Sequence, residues 1–246
     1  MKDYNEFWKS MKGVHARHPS VRFRNYLIVS AVRRILDPLK QSSVLDVGCG
    51  SGDLLKELDK RLCLGPRVIL SGYDISRYQI EKNRLEGLSY DFRVADFNGW
   101  VDAASKFDIV ICSELVEHLK DWKSSLHNIT DMNKPEGFLI LTTQSGRRFK
   151  SDKALGHLQH FRLDCLVDYL KKLNYDIIIA QKRGFPFYNL QKAVNSIFFV
   201  MAERVAYAET KLSASILFVF VYFLFRISIS SKKLGPQIFI LARKKS

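Results

Sequence analysis

The stretch Val44-Leu45-Asp46-Val47-Gly48-Cys49-Gly50-Ser51-Gly52-Asp53 constrains this chain more than any other. A short run suited to a buried strand passes into three glycines at alternate positions, and residues 52–62 then carry apolar side chains at helical spacing. A strand that turns through glycines into a helix folds tightly and lets its backbone lie close to a ligand. The loop is not the G-x-G-x-x-G of a dinucleotide site. Counted from Gly48 and Gly50, the third position is Asp53, whose carboxylate at a helix N-terminus would repel a pyrophosphate. No Gly-Lys-Ser/Thr follows, so it is not a P-loop either. The loop suits a ligand with a nucleoside and no phosphate, and an NAD-dependent dehydrogenase is disfavoured.

Around this loop the pattern alternates. Strand-like runs at Arg67–Tyr73, Tyr90–Val94, Phe107–Cys112, Gly137–Thr143 and Tyr175–Ala180 are separated by helical periods at 75–85, 120–131 and 163–173. Such alternation predicts an α/β fold, a Rossmann-like doubly wound sheet of about seven strands. Residues 185–233 break the alternation with a Phe-, Tyr- and Ile-rich helical segment before a final strand at Gln237–Ala242, taken as antiparallel. A helix is also expected over Val21–Leu36, stopped by Pro38. The domain reading is an N-terminal basic helical extension (1–40), a ligand-binding domain (41–184 with 234–246) and an aromatic helical insertion (185–233).

Four landmarks in order give the chain its resemblance to class I S-adenosylmethionine-dependent methyltransferases, in particular the ubiquinone-biosynthesis O-methyltransferase group (methyltransferase type 11–12). They are Asp46 with Gly48, Gly50 and Gly52; Asp74 closing the second strand; Asp96 with Phe97 after the third; and FDIVICSELVEHL at 107–119. The resemblance covers roughly 40–182 and 236–244. It implies S-adenosylmethionine as methyl donor, bound by Asp46, Gly48, Cys49, Gly50, Gly52, Asp74, Ile75, Asp96, Phe97 and Ser113. Asp74 would accept both ribose hydroxyls, a sound use of a carboxylate, and Asp96 would lie near the adenine amino group. Cys49 reads as a small filler.

A sulfonium methyl is already activated, so the protein has mainly to align the nucleophile and take its proton. Glu114, Glu117 and His118 have i, i+3, i+4 spacing and would share one face of a helical turn. The matching residues of related families can hold a divalent cation such as Mg2+, and a later histidine, His157 or His160, can complete the site. His118 and His157 are the candidate catalytic residues, and Glu114, Glu117 and His118 the candidate metal ligands. The alternative is a cation-free pocket in which Glu117 holds backbone and His118 lines the wall. His157 and His160 could instead sit near the start of the helix from Leu163. His15 and His18 are expected on a solvated basic arm, and His127 is expected to be structural.

Composition then limits the partner. The chain has 39 Lys plus Arg against 25 Asp plus Glu, a net charge of +14 that first suggests nucleic acid. Yet residues 1–40 hold 9 basic and 3 acidic residues, residues 226–246 hold 6 basic and none acidic, and the body between is nearly neutral. No RRM or KH signature is present. Nucleic acid is therefore not the expected partner; a small-molecule acceptor and an anionic membrane surface are. Cys49, Cys63, Cys112 and Cys165 have no metal-site spacing and suggest no disulfide framework. The opening residues lack the apolar core of a secretory leader, and a cytoplasmic setting is expected, with peripheral contact on the inner face of a membrane.

Ile216–Phe225 is ten consecutive apolar residues, and only 14 residues separate Lys211 from Arg226. A spanning helix needs about 20. The segment, with Tyr207 upstream, is read as a lid packed over the sheet, an interfacial membrane helix, or both. The leading function is methylation, O-methylation favoured, of an apolar or lipid-linked small molecule. The alternatives are an RNA 2′-O-methyltransferase and a non-catalytic S-adenosylmethionine-binding protein.

Overall fold

The computed structural model describes residues 3–10, 17–37, 39–99, 106–197 and 212–246. Helices α1 (Tyr4–Ser10) and α2 (Pro19–Ile35) precede β1 (Ser42–Val47), α3 (Asp53–Leu62), β2 (Val68–Asp74), α4 (Arg77–Leu85), β3 (Asp91–Val94) and β4 (Phe107–Ser113). A 3-10 turn at Val116–His118 leads to α5 (Trp122–Asp131), β5 (Asn133–Gln144), α6 (Lys150–Ala154), α7 (Leu163–Lys172) and β6 (Tyr175–Phe185). The remaining described elements are α8 (Phe187–Ile197), α9 (Leu212–Arg226), β7 (Ile229–Ser231) and β8 (Gln237–Lys244).

The strands form one sheet in the order β3-β2-β1-β4-β5-β8-β6-β7. The first five run parallel, while β8 enters antiparallel between β5 and β6. The sheet thus has eight strands where about seven were expected. The extra one, β7, comes from the segment expected to be wholly helical and pairs antiparallel with the extended end of β6, Lys182 facing Ser231 and Phe185 facing Ile229.

Period-two alternation divides the core between the two faces of the sheet. Val44, Ile109 and Ile111 point to one side, where Phe23 and Ile28 of α2 and Leu55 and Leu58 of α3 cover them. Leu45, Val47, Val110 and Cys112 point to the other, beneath Leu126 and Ile129 of α5 and Leu166 and Leu170 of α7. Each such aliphatic side chain contributes about 2 kcal/mol by leaving water. Segments 1–40 and 185–233 share the first of these cores: Phe225 of α9 is fully buried, 5.8 Å from Phe23 and stacked at 4.8 Å on Tyr188 of α8. Residues 198–211 of the second segment, including Tyr207, lie outside the described residues, as do His15 and Pro38.

Helix α2 starts two residues earlier than its apolar spacing predicts, because His18 caps it and Pro19 occupies its first turn. His18 is therefore not on a solvated arm. Its Nδ1 lies 2.6 Å from Ser20 Oγ, its ring packs 5.9 Å from Phe218, and burial with the nearby Arg24 charge pushes its pKa down to about 4. His127 is half exposed on α5, with Nδ1 3.3 Å from Asp131 one turn further along the helix. Among the described residues no helix is long and apolar enough to cross a membrane.

Candidate active site

The chain order reverses between β1 and its neighbours β2 and β4, which opens a crevice beyond their carboxyl ends. A cavity of about 480 Å3 fills it. One half is built from the glycine loop. Gly48, Gly50 and Gly52 have φ of +75°, +49° and +69°, which L side chains resist. The loop is tied to β2: Gly48 and Cys49 donate backbone N–H bonds to Tyr73 O, at 2.7 and 3.1 Å. Cys49 is indeed a filler, packed where a side chain on Gly72 would have to go.

Asp74 organises this half. Gly50 N donates to its Oδ2 at 2.9 Å and Ser76 N to its Oδ1 at 2.8 Å, so one carboxyl joins the glycine loop to the start of α4. Burial raises its pKa against the stabilising backbone N–H groups of Ser76, Gly50 and Ile75. Asp46, deeper and facing the Asp74 charge, is pushed up to about 8 by its burial. Asp74, Ile75, Asp96, Phe97 and Ser113 line the same half, as do Asp46, Gly48, Cys49 and Gly50. Gly52 stands behind the lining as the left-handed N-cap of α3.

Helix α1 covers this half. Asn5 Oδ1 accepts from Ser76 Oγ at 3.0 Å and from Tyr78 N at 3.2 Å, which fixes α1 to α4. Trp8 lies so close to Gly50 that an added Cβ would meet its ring at 2.1 Å. Tyr4 sits edge-on to His118 with ring centres 6.1 Å apart.

The other half is polar and largely buried. Glu114 lies outside the 3-10 turn at φ +52°, so Glu114, Glu117 and His118 do not form the expected single helical face. The two carboxyls take different partners. Glu114 accepts from Gln144 Nε2 at 2.5 Å and Gln237 Nε2 at 2.8 Å, with Arg24 Nη1 4.0 Å away. Burial would raise its pKa, but Arg24 and the two amides outweigh it and keep Glu114 ionised. Glu117 is fully buried and accepts from Thr143 Oγ1 at 2.8 Å; burial and the Glu114 charge raise its pKa far above the usual range. Its backbone carbonyl receives Leu158 N at 2.8 Å, which holds the histidine loop.

That loop brings three imidazoles together. His118 Nδ1 lies 3.1 Å from Gly156 O, and its ring centre is 4.8 Å from that of His157. His157 Nδ1 meets His160 Nε2 at 3.1 Å, and His160 Nδ1 lies 3.3 Å from Gly146 O. Because carbonyls only accept, neutral His118 and His160 carry their protons on Nδ1, and His157 then donates from Nδ1 to His160. Burial and the neighbouring His118 drive the His157 pKa down to about 3. Behind them Asp152 Oδ1 pairs with buried Lys192 at 3.0 Å, and Lys192 also donates to Gln144 Oε1 at 3.0 Å. His118 and His157 face the cavity; His160 is behind it.

The set expected to hold Mg2+ does not fit that ion. Among the described residues the ligand atoms that gather within 4.8 Å are those of Glu117, His118 and His157 and, separately, those of Asp152, His157 and His160; Glu114 is in neither group. Glu114, one of the three expected ligands, is instead turned to Arg24, Gln144 and Gln237, which leaves one carboxylate where a hard cation seeks several oxygen ligands. Arg24, at the end of a 17–24 stretch expected to fold over the ligand, also lines the cavity, and so do Gln144, Asp152, Tyr188 and Lys192, which nothing in the sequence singles out. They reach it from α2, the end of β5, α6 and α8, with no local motif to announce them.

A glycine loop braced by an acidic side chain at the end of the second strand, under a sheet whose last long strand is inserted antiparallel, is the class I S-adenosylmethionine-dependent methyltransferase fold. Residues 20–180 match the family described as a methyltransferase domain, and the chain belongs to it. It is 33% identical over 127 residues to a ubiquinone biosynthesis O-methyltransferase of Chelativorans sp., covering 50% of this chain and 47% of that protein. It is 36% identical over 117 residues to the enzyme of that name from Coxiella burnetii, covering 46% and 47%. The matches thus span about half the length of these curated relatives. Among solved structures, Haemonchus contortus phosphoethanolamine N-methyltransferase 2, in complex with S-adenosyl-L-methionine, superposes with a TM-score of 0.57 at 17% identity, over 90% of this chain and 53% of that one. That likeness concerns the fold.

Proposed function

We propose that this chain transfers the methyl group of S-adenosylmethionine to a hydroxyl of an apolar, lipid-linked small molecule. The observation that carries the reading is one cavity with two chemically distinct halves, Asp74 and the glycine loop in one and His118 in the other. When bound, the donor supplies an activated methyl on a sulfonium. Asp74 accepts hydroxyl hydrogen bonds through the lone pairs left by Gly50 and Ser76, and Asp96 meets a base amine. Gly48, Cys49 and Gly50 supply the backbone cradle, Gly52 behind them turns the loop into α3, and Ile75, Phe97 and Ser113 complete the wall. His118, with its Nδ1 proton on Gly156 O, presents Nε2 as the base for the acceptor proton. His157 stays neutral and orients His118. Transfer to an acceptor hydroxyl would release that group's proton, which His118 Nε2 is placed to take.

The curated relatives' names support the acceptor class, and so do the aromatic and aliphatic side chains of α8 and α9. The reading includes a peripheral position on a membrane. The test incubates the protein with methyl-labelled S-adenosylmethionine and a fractionated cell extract. Label in the lipid fraction, lost in His118→Ala with donor binding retained, supports the reading. Label in RNA, or full turnover by His118→Ala, overturns it.

A further inference from the structure

Helix α9 has one face against the protein and one face against nothing described. Inward, Phe225 is fully buried, Tyr222 lies under Arg22 at 4.5 Å, and Phe218 reaches the cavity wall. Outward, Ile216, Phe220, Phe223 and Ile227 follow one another at i, i+4, i+7 and i+11 and are 64%, 58%, 59% and 58% exposed. One side of a helix therefore offers four large apolar side chains to solvent, and monomeric proteins rarely leave such a stripe uncovered.

The charges around the stripe say what covers it. From 212 to the last residue there is no Asp or Glu. Arg226 closes the helix, held over the Tyr26 ring at 4.1 Å, and exposed Lys232 and Lys233 follow in the turn between β7 and β8. Two copies meeting through this face would bring like-charged rims together. An anionic lipid surface complements both the rim and the stripe. With 15 residues α9 is about 22 Å long, short of the ~30 Å hydrocarbon core, so it can lie in the interface and not span it.

We propose that the outer face of α9, with Arg226, Lys232 and Lys233, docks this protein onto an anionic membrane surface, and that a lipid-anchored acceptor enters the cavity past Phe218. The second half rests on the proposed methyl transfer; the first does not. The two faces of one short helix then join bilayer and cavity, so the acceptor's head reaches the donor while its tail stays in lipid.

The experiment is flotation of the full chain with phosphatidylcholine vesicles, with or without phosphatidylglycerol, alongside calorimetric binding of S-adenosylmethionine and sedimentation velocity. The expected result is flotation only with phosphatidylglycerol. Phe220→Ser/Phe223→Ser and, separately, Lys232→Glu/Lys233→Glu should each cut the floated fraction by about tenfold, with donor binding unchanged. Donor binding also shows that each variant is folded. Failure of the wild type to float on anionic vesicles overturns the docking, and so does a dimer that Phe220→Ser/Phe223→Ser dissolves. Flotation without donor binding leaves docking standing and removes the methyl-transfer reading.

Discussion

At the residue scale, Asp74 does two jobs with one carboxyl. Its two oxygens fix the glycine loop and the start of α4 before any ligand arrives, so its removal costs the cradle as well as the ligand contact proposed for it. Asp74→Ala is expected to weaken S-adenosylmethionine binding by about 100-fold, equivalent to about 3 kcal/mol, as read by calorimetry. Glu114 carries a different burden. With side chains only 12% and 14% exposed, Arg24 and Glu114 depend on each other for charge balance. Glu114→Ala leaves the guanidinium without its counter-charge and is expected to cost about 3 kcal/mol of folding stability, measured by urea unfolding. His18 sets a pH dependence. Its folded pKa of about 4 is below its unfolded value of about 6.5. The unfolded chain therefore binds the extra proton between these pH values, and stability present above about 6.5 is lost as pH falls towards 4. His18→Asn keeps a capping side chain and removes the proton site. Its melting midpoint should fall by a few degrees less than the wild type's between pH 7 and 5.

At the element scale, what was legible in the sequence was what is local. The glycine loop occupies ten consecutive residues, and Asp74 sits at the end of a strand whose apolar run marks its own boundary. The polar half of the cavity was not legible. Gln144 and Gln237 converge on Glu114 although 93 residues separate them, and Lys192 meets Asp152 from another helix. The antiparallel insertion of β8 makes that convergence, and no spacing in the sequence encodes it. The i, i+3, i+4 spacing of Glu114, Glu117 and His118 does not make one face for a related reason: the left-handed Glu114 lies between β4, which ends at Ser113, and the turn, which begins only at Val116. Helix α1 shows how a short element acts through one contact. Seven residues are too few to be stable alone. It is held by Asn5 at α4 and by Trp8 on Gly50. Trp8→Ala is expected to weaken donor binding about tenfold and leave the melting midpoint within a few degrees of wild type, with both measured on the same sample.

At the scale of the whole molecule, the net charge of +14 resolves into separate parts. The six basic residues after Phe225 lie at opposite edges of the sheet, because β8 runs from the cavity edge to the far edge. Arg243 pairs with Glu136 and Lys245 with Asp176, while Lys244 Nζ donates to Thr130 O at 2.9 Å. Of the six, Arg226 ends α9, and Lys232 and Lys233 follow in the turn between β7 and β8. The far-edge pairs are half exposed and solvent-screened, worth at most about 1 kcal/mol each. If total charge alone drew the protein to an anionic surface, removing two cations from either edge would weaken that attraction equally. If the position of charge beside the apolar stripe matters, only one edge counts. Arg243→Gln/Lys245→Gln is therefore expected to float with phosphatidylglycerol vesicles as the wild type does, with a melting midpoint lower by only a few degrees. Equal loss of flotation in this variant and in Lys232→Glu/Lys233→Glu, after allowing for the larger charge change in the latter, would show that net charge and not the α9 edge governs the attraction.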